Sequence, residues 1–160
     1  MIVKEIRDED FTSYKKPSMV IGFPSCTFKC ERECGCKGMC QNAALAIAPD
    51  RIIGVKTIVN RYVNNPITSA IIMAGLEPFD SEEDLELLIT YLRVSTQDDI
   101  VIYTGYTKEE VQEKKIFQYL LKFKNIIIKF GRFIPNQQPH YDEVLGVKLA
   151  SDNQYAERIS

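Results

Sequence analysis

The stretch that decides the fold is residues 68–103, which read TSAIIMAGLEPFDSEEDLELLITYLRVSTQDDIVIY. Thr68 to Ala74 is predicted to be a buried strand, and Asp99 to Tyr103 is predicted to be the next strand. Between them, Ser81 and Asp84 form a capping-box pattern with Asp in place of Glu, which predicts the start of a helix. The apolar side of that helix comprises Leu85, Leu87, Leu88 and Leu92.

The same alternation continues on both sides of this stretch. Ser18 to Phe23 is a short apolar strand bounded by prolines. Thr107 is the predicted cap of a helix from Lys108 to about Lys124, and Asn125 to Phe130 is a further apolar strand. This order predicts an α/β fold, with a mostly parallel sheet, helical crossovers and cover on at least one face.

The rest of the chain predicts four more elements and one domain. The predicted elements are a strand from Ile2 to Ile6, helices over Gln41 to Ala48 and Lys56 to Tyr62, and an edge strand over Val144 to Leu149. With 160 residues and no repeat or linker, the chain is expected to be a single domain, residues 1–160. A complete eight-fold barrel needs about 250 residues, so only a partial, open barrel is possible.

Composition excludes several kinds of protein. Hydrophobic residues make up 45% and charged residues 26%, as in ordinary globular proteins, and the net charge is -2. Nucleic-acid binders usually carry a basic excess, so nucleic acid is not expected as a partner. Apolar runs such as Ala70 to Ala74 are far shorter than a membrane span, and the first residues lack a signal-peptide pattern. We therefore expect a cytoplasmic protein without a membrane partner.

All five cysteines fall within fifteen residues, and they are Cys26, Cys30, Cys34, Cys36 and Cys40. Their number is odd and their spacing is too tight for a framework that ties distant segments together, so disulfides explain them poorly. Thiolates are soft ligands, which favours zinc or an iron–sulfur cluster. No C-x2-C pair is present, so the spacing favours an iron–sulfur cluster over zinc without deciding it. The single histidine, His140, is expected to be a solvated loop residue.

Three unusual segments each follow a predicted strand, and ligands of open parallel sheets bind beyond the carboxyl ends of the strands. These segments are the cysteine loop, Gly75-Leu76-Glu77-Pro78 and Thr104-Gly105-Tyr106. We expect them to face one cleft, where Gly75 permits close approach of a backbone to a ligand and Glu77 accepts hydrogen bonds from an amine. Taken alone, Gly-Leu-Glu-Pro is equally a plain strand-to-helix turn that Pro78 fixes.

Several motifs occur in the order of a known family. They are Cys26-Thr27-Phe28-Lys29-Cys30, Cys40-Gln41-Asn42, Gly75-Leu76-Glu77-Pro78-Phe79, Tyr103-Thr104-Gly105-Tyr106-Thr107, Gly131-Arg132-Phe133, and Gly146 with Ser151-Asp152-Asn153-Gln154. With these motifs the chain resembles the radical S-adenosylmethionine superfamily. Within that superfamily it is most similar to the small activating proteins of anaerobic (class III) ribonucleotide reductase.

The resemblance implies a small partial (βα) barrel with a 4Fe-4S cluster held by Cys26, Cys30 and Cys40, with Cys34 as the rival third ligand. It implies that Gly75, Glu77, Pro78 and Thr104 contact S-adenosylmethionine. The implied reaction is reductive cleavage of that cofactor to a 5′-deoxyadenosyl radical, so the radical belongs to the cofactor and no side chain is catalytic. The implied partners are the large subunit of the anaerobic reductase, which receives a glycyl radical, and a reducing flavodoxin or ferredoxin.

The chain departs from the family pattern at two places. Glu31 to Met39 stand where the family has two residues, and Leu76 replaces the second glycine of the motif that meets the cofactor's amine. One alternative is therefore a non-catalytic zinc- or iron–sulfur-binding interaction protein, and another is a radical enzyme with a different substrate. Candidate docking residues are expected to be solvated surface, and they are Arg132, Tyr141 and Tyr155.

Overall fold

The computed structural model describes residues 1–160. The ten strands are β1 (Ile2–Val3), β2 (Glu5–Asp10), β3 (Ser18–Phe23), β4 (Arg51–Ile52), β5 (Ala70–Gly75), β6 (Asp99–Tyr103), β7 (Ile126–Phe130), β8 (His140–Asp142), β9 (Val147–Leu149) and β10 (Tyr155–Arg158). The six α-helices are α1 (Lys29–Cys34), α2 (Ala43–Ile47), α3 (Val55–Val63), α4 (Glu82–Ser95), α5 (Lys108–Gln112) and α6 (Lys115–Leu120). A 3₁₀ turn spans Pro78–Asp80.

Six strands form the central sheet, in the spatial order β10-β7-β6-β5-β3-β2. The four inner strands β3, β5, β6 and β7 are parallel, and the edge strands β2 and β10 are antiparallel to their neighbours. Two small antiparallel pairs, β1 with β4 and β8 with β9, lie outside this sheet. The prediction of an α/β fold with a mostly parallel sheet is confirmed.

Both faces of the inner strands are covered, which explains their unbroken apolar sequences. Along β3, Met19, Ile21 and Phe23 pack into the larger cluster, together with buried residues of α3, α4, α5 and α6. The alternate residue Val20 packs into a smaller cluster on the other face, beside Leu145 of the carboxyl-terminal segment. Because side chains alternate along a strand, one short run supplies both clusters.

The helix predicted from Lys108 to Lys124 is two short helices, so that prediction is wrong over its middle. Lys114 has extended backbone angles between α5 and α6. Its ammonium group donates to the carbonyl oxygen of Phe79 at 3.1 Å and to Glu82 at 3.0 Å. These contacts secure the break against the start of α4.

Of the other local predictions, some are confirmed and some are wrong. The capping box predicted at Ser81 is absent, because the Ser81 side chain makes no capping hydrogen bond, whereas Thr107 and Glu110 form a complete capping box on α5. Leu87 of the predicted apolar side of α4 is 44% exposed. His140 lies in β8, in a hairpin with β9, and is half-buried rather than a solvated loop residue. None of the α-helices combines the length and apolar character needed to cross a bilayer.

Candidate functional site

A cavity of about 320 Å³ opens at the carboxyl ends of the inner strands. All three segments singled out in the sequence line it, through Cys26, Gly75 and Thr104 among others. Mid-strand residues of the smaller cluster's face, such as Val20 and Ile72, line it as well. Its volume is within the ~300–1,000 Å³ common for small-molecule sites. The three segments thus line one cavity, as expected from their positions at the carboxyl ends of parallel strands.

The cysteines divide into two groups. Cys26, Cys30 and Cys40 line the cavity, whereas Cys34 and Cys36 do not. All five are free thiols. No group of three or more His, Cys, Asp or Glu side chains is placed to hold a single metal ion. The three cavity thiols are therefore not gathered at one ion-sized point.

Two of the cavity thiols are strongly affected by their surroundings. Burial raises the pKa of the Cys26 thiol to about 11. Burial, followed by the charge of neighbouring Cys40, raises the pKa of Cys30. Without metal these thiols hold their protons at neutral pH, and metal binding has to displace them because the thiolate is the ligand.

Hydrogen bonds hold the cysteine loop against the strand ends. The backbone N–H of Thr27 donates to Asp80 Oδ2 at 2.8 Å, and Tyr106 donates its hydroxyl to Asp80 Oδ1 at 2.6 Å. Asp80 thus joins the start of the loop to the segment after β6. At the other end, the Asn42 side-chain amide donates to the Gly75 carbonyl oxygen at 2.6 Å. The backbone N–H of Cys40 donates to Glu31 Oε1 at 3.0 Å.

Glu77 is the most constrained acid in the cavity. Its Oε1 accepts hydrogen bonds from the Thr104 hydroxyl at 2.8 Å and the Phe79 backbone N–H at 3.2 Å. Its Oε2 accepts from the Gly105 N–H at 2.8 Å. Burial raises the pKa of Glu77 to about 7, against the lowering effect of these donors. Thr104, itself buried, fixes the Glu77 carboxylate.

The Gly75 position is explained by the neighbouring strand. Gly75 has φ +94°, and a Cβ there would lie 2.6 Å from the Phe23 backbone nitrogen and 2.7 Å from Gly22 Cα. The close approach is therefore between strands β5 and β3, while Gly75 also lines the cavity. Leu76 donates its backbone N–H to the Phe23 carbonyl oxygen at 3.2 Å and lines the cavity beside it. Pro78 is buried in the 3₁₀ turn and does not line the cavity.

Lys129 is a cavity residue that the sequence reasoning missed. It is buried in β7, lines the cavity, and donates from Nζ to the Gly131 carbonyl oxygen at 2.8 Å. Burial lowers its pKa to about 8. The sequence signal for it was a single lysine in the apolar strand Ile126–Phe130. Lys129 lies two residues after Ile127, and therefore on the same face of the sheet, and Ile127 belongs to the smaller cluster. A buried lysine that makes a single hydrogen bond destabilises the fold unless a ligand or an opposite charge pairs with its ammonium group.

Arg132, expected to be solvated, is instead part of the cavity wall. Its side chain is 11% exposed and forms ion pairs with Glu110 at 2.7 Å and with Glu33 at 3.0 Å. The Arg132 hydrogen bond holds the pKa of Glu110 at about 2. Lys29 also pairs with Glu110. This network joins α1, α5 and the segment after β7 at the rim of the cavity.

Comparison with known proteins gives one family. The family described as the 4Fe-4S single cluster domain matches residues 19–155, a stretch that contains all five cysteines and the four parallel strands except Ser18, the first residue of β3. No curated protein and no solved structure gives a significant match. Since the match covers most of the chain and includes the three cysteines that line the cavity, the protein belongs to the 4Fe-4S single cluster domain family and is an iron–sulfur protein.

Proposed function

We propose that the protein is a radical S-adenosylmethionine enzyme whose cluster is held by Cys26, Cys30 and Cys40. The observation that carries this proposal is that these three thiols and the Glu77 carboxylate line the same cavity. A bound four-iron cluster with three protein ligands supplies an open iron and an electron for cleaving S-adenosylmethionine to methionine and a 5′-deoxyadenosyl radical. The protein's own contribution is to hold, orient and enclose these groups.

The donor set fits such a cluster. Thiolates are the usual protein ligands of four-iron clusters, and three of them leave one iron free for a small molecule. Cys40 is the third ligand in this proposal because it lines the cavity with Cys26 and Cys30. Cys34, the rival third ligand, is left out of the proposed set because it does not line the cavity.

Glu77 is proposed to bind the ammonium group of S-adenosylmethionine. Its three hydrogen-bond donors fix the direction of the carboxylate, and Oε2, which accepts only the Gly105 N–H, retains a lone pair for a further donor. Thr104 acts through Glu77 as a positioning residue. Gly75 sets the course of the backbone, and Leu76 supplies apolar surface where the related motif has glycine.

Lys129 is proposed to bind the carboxylate of the same amino-acid moiety of S-adenosylmethionine. S-adenosylmethionine carries an ammonium group and a carboxylate, and the cavity contains one buried acid and one buried base. Lys129 Nζ makes one hydrogen bond, to Gly131, so two of its three donors are available. The pair Glu77 and Lys129 therefore matches the charges of the cofactor.

The proposed substrate is a glycine residue of an anaerobic ribonucleotide reductase large subunit, with flavodoxin or ferredoxin as electron donor. The support is the resemblance itself together with the placement of its motifs. Tyr103, Thr104 and Tyr106 of one motif line the cavity, as do Gly131, Arg132 and Phe133 of another. Motifs that are distant in sequence thus surround the proposed cofactor site.

Anaerobic reconstitution with iron and sulfide tests the proposal. The reconstituted protein is reduced with dithionite and incubated with S-adenosylmethionine, and 5′-deoxyadenosine is measured by liquid chromatography. We expect stoichiometric or greater 5′-deoxyadenosine from the wild type and none from Cys26→Ser. A fully loaded, reduced cluster that forms no 5′-deoxyadenosine would contradict the proposal, and a colourless protein holding one zinc would support the non-catalytic alternative.

A further inference from the structure

Cys34, Cys36 and Met39 lie close together at the edge of the cavity, which Met39 itself lines. Cys34 Sγ lies 2.8 Å from Met39 Sδ. The backbone N–H of Cys36 donates to Cys34 Sγ at 3.1 Å, and the Cys36 thiol donates to the Cys34 carbonyl oxygen at 3.2 Å. Neither thiol lines the cavity, so the cluster proposed above leaves both unused.

The local chain course explains why these three residues meet. Cys34 is the last residue of α1, and Gly35 follows it with φ +66°. Gly38 has φ +77° and turns the chain a second time, directly before Met39. Glycine adopts this left-handed backbone without the cost other residues incur. The two turns bring the Met39 thioether back to the Cys34 thiol.

We propose that Cys34, Cys36 and Met39 form a second metal site, which binds a soft monovalent cation such as Cu(I). The three side chains provide two thiols and one thioether, the donors that favour Cu(I). Structural zinc sites almost always have four protein ligands, and this group has three. Cys34 is exposed, so the site is open to a cation from solvent. This proposal rests on the proposed cluster ligands, which leave Cys34 and Cys36 free, but it does not rest on the proposed radical chemistry.

Binding at this site changes no oxidation state. The cation replaces one proton on each of Cys34 and Cys36, both protons go to solvent, and the Met39 sulfur donates a lone pair. The product carries one net negative charge, from two thiolates and one monovalent cation. Metal binding therefore strengthens as the pH rises, as for any thiolate site.

The test is an anaerobic titration of the cluster-loaded protein with Cu(I) in the presence of the chromogenic chelator bicinchoninate. We expect the wild type to withdraw one equivalent of Cu(I) from the chelator while its iron content stays constant. The Cys34→Ser/Cys36→Ser double variant should lose that equivalent and keep its iron. Met39→Leu should weaken Cu(I) binding at least tenfold, and Lys37→Ala, an exposed change in the same loop, should bind Cu(I) as the wild type does.

Three results would overturn the site. The first is a wild type that withdraws no Cu(I), and the second is a double variant that binds as much Cu(I) as the wild type. The third is loss of iron in proportion to the copper bound, which would mean that copper takes the cluster cysteines. Circular dichroism and iron content of each variant verify that the fold is retained. The wild-type and double-variant difference also remains readable if the protein fails to cleave S-adenosylmethionine.

Discussion

The side-chain amide of Asn42 donates a 2.6 Å hydrogen bond to the carbonyl oxygen of Gly75. Asn42 is two residues after Cys40, and Gly75 is two residues before Glu77. This bond therefore joins the end of the cysteine loop to the end of β5. It connects the proposed third cluster ligand with the proposed ligand of the cofactor's amine, although 35 residues separate Cys40 from Gly75 in sequence.

Replacing single cysteines tests the ligand assignment. Cys40→Ala is expected to remove most of the iron from the reconstituted protein, because Cys40 lines the cavity with Cys26 and Cys30. Cys34→Ala is the matched control, and it should retain the wild-type iron content. Iron and sulfide analysis together with the visible absorption of each variant provides the measurement. Full iron in Cys40→Ala with loss in Cys34→Ala would exchange the two assignments.

Adding a methyl group at Gly75 should be costly. Its φ of +94° and a Cβ only 2.6 Å from the Phe23 nitrogen combine backbone strain with overpacking. Gly75→Ala is therefore expected to lower the free energy of unfolding by about 2–4 kcal/mol. Gly35→Ala is the control, since it has φ +66° but nothing within 4 Å of its Cβ, and it should cost about 1 kcal/mol. Urea denaturation measures both, and equal losses would contradict this explanation of Gly75.

Binding of S-adenosylmethionine should depend on the ionisation of Glu77. Its pKa of about 7 is raised from the ordinary value by burial, and the cofactor's ammonium favours the carboxylate. Below that pKa, binding must first release the proton, so affinity should fall about tenfold for each pH unit. Equilibrium dialysis between about pH 5 and pH 7 measures this slope.

The Glu77→Gln variant provides the comparison for that slope. Its amide has no charge to titrate, so it should bind the cofactor weakly and with no change over this range. A wild-type affinity that stays constant from acid to neutral pH would separate Glu77 from cofactor binding. Unchanged iron content in Glu77→Gln verifies that the cluster itself is intact.

Removing the buried ammonium of Lys129 should stabilise the fold and weaken cofactor binding. Its pKa is lowered to about 8, so the folded protein carries an unfavourable charge at pH 7. This destabilisation develops as the pH falls from the ordinary lysine pKa to about 8 and is constant below that. Lys129→Met should therefore raise the free energy of unfolding by about 1–3 kcal/mol at pH 7.

The exposed Lys115→Met change is the matched control for Lys129→Met, and it should shift the free energy of unfolding by less than about 0.5 kcal/mol. Urea denaturation gives the stabilities, and dialysis against S-adenosylmethionine gives the affinities. If Lys129→Met binds the cofactor as tightly as the wild type, Lys129 has no part in holding its carboxylate.

The inner sheet was predictable because its strands are buried on both faces. Largely apolar runs such as Ser18–Phe23 and Asp99–Tyr103 are typical of strands that are buried on both faces, and they therefore predict central strands. The same reasoning predicted the meeting of Gly75 and Thr104 at one cavity, since carboxyl ends of parallel strands share an edge. Motif order then indicated the family resemblance on which the proposed chemistry rests.

The edges and the surface network were less predictable. The antiparallel strand β2 has the sequence EIRDED, and this highly charged sequence does not predict its pairing with β3. Arg132 is half-buried and pairs with Glu33 and Glu110, which come from two distant helices, and no local pattern encodes that meeting. The division of five similar cysteines into a cavity group and an outer group depends on turns at Gly35 and Gly38. Spacing alone left that division open.

Electron paramagnetic resonance of the reduced cluster, recorded with and without S-adenosylmethionine, tests the central claim most directly. If three cysteines hold the cluster, as proposed, one iron has no protein ligand and is open to the cofactor, so saturating cofactor should change the g-values of the spectrum. The same change should be lost in Cys40→Ala along with the cluster. A reduced four-iron spectrum that is identical with and without the cofactor would mean that no iron is available to it, which contradicts the account.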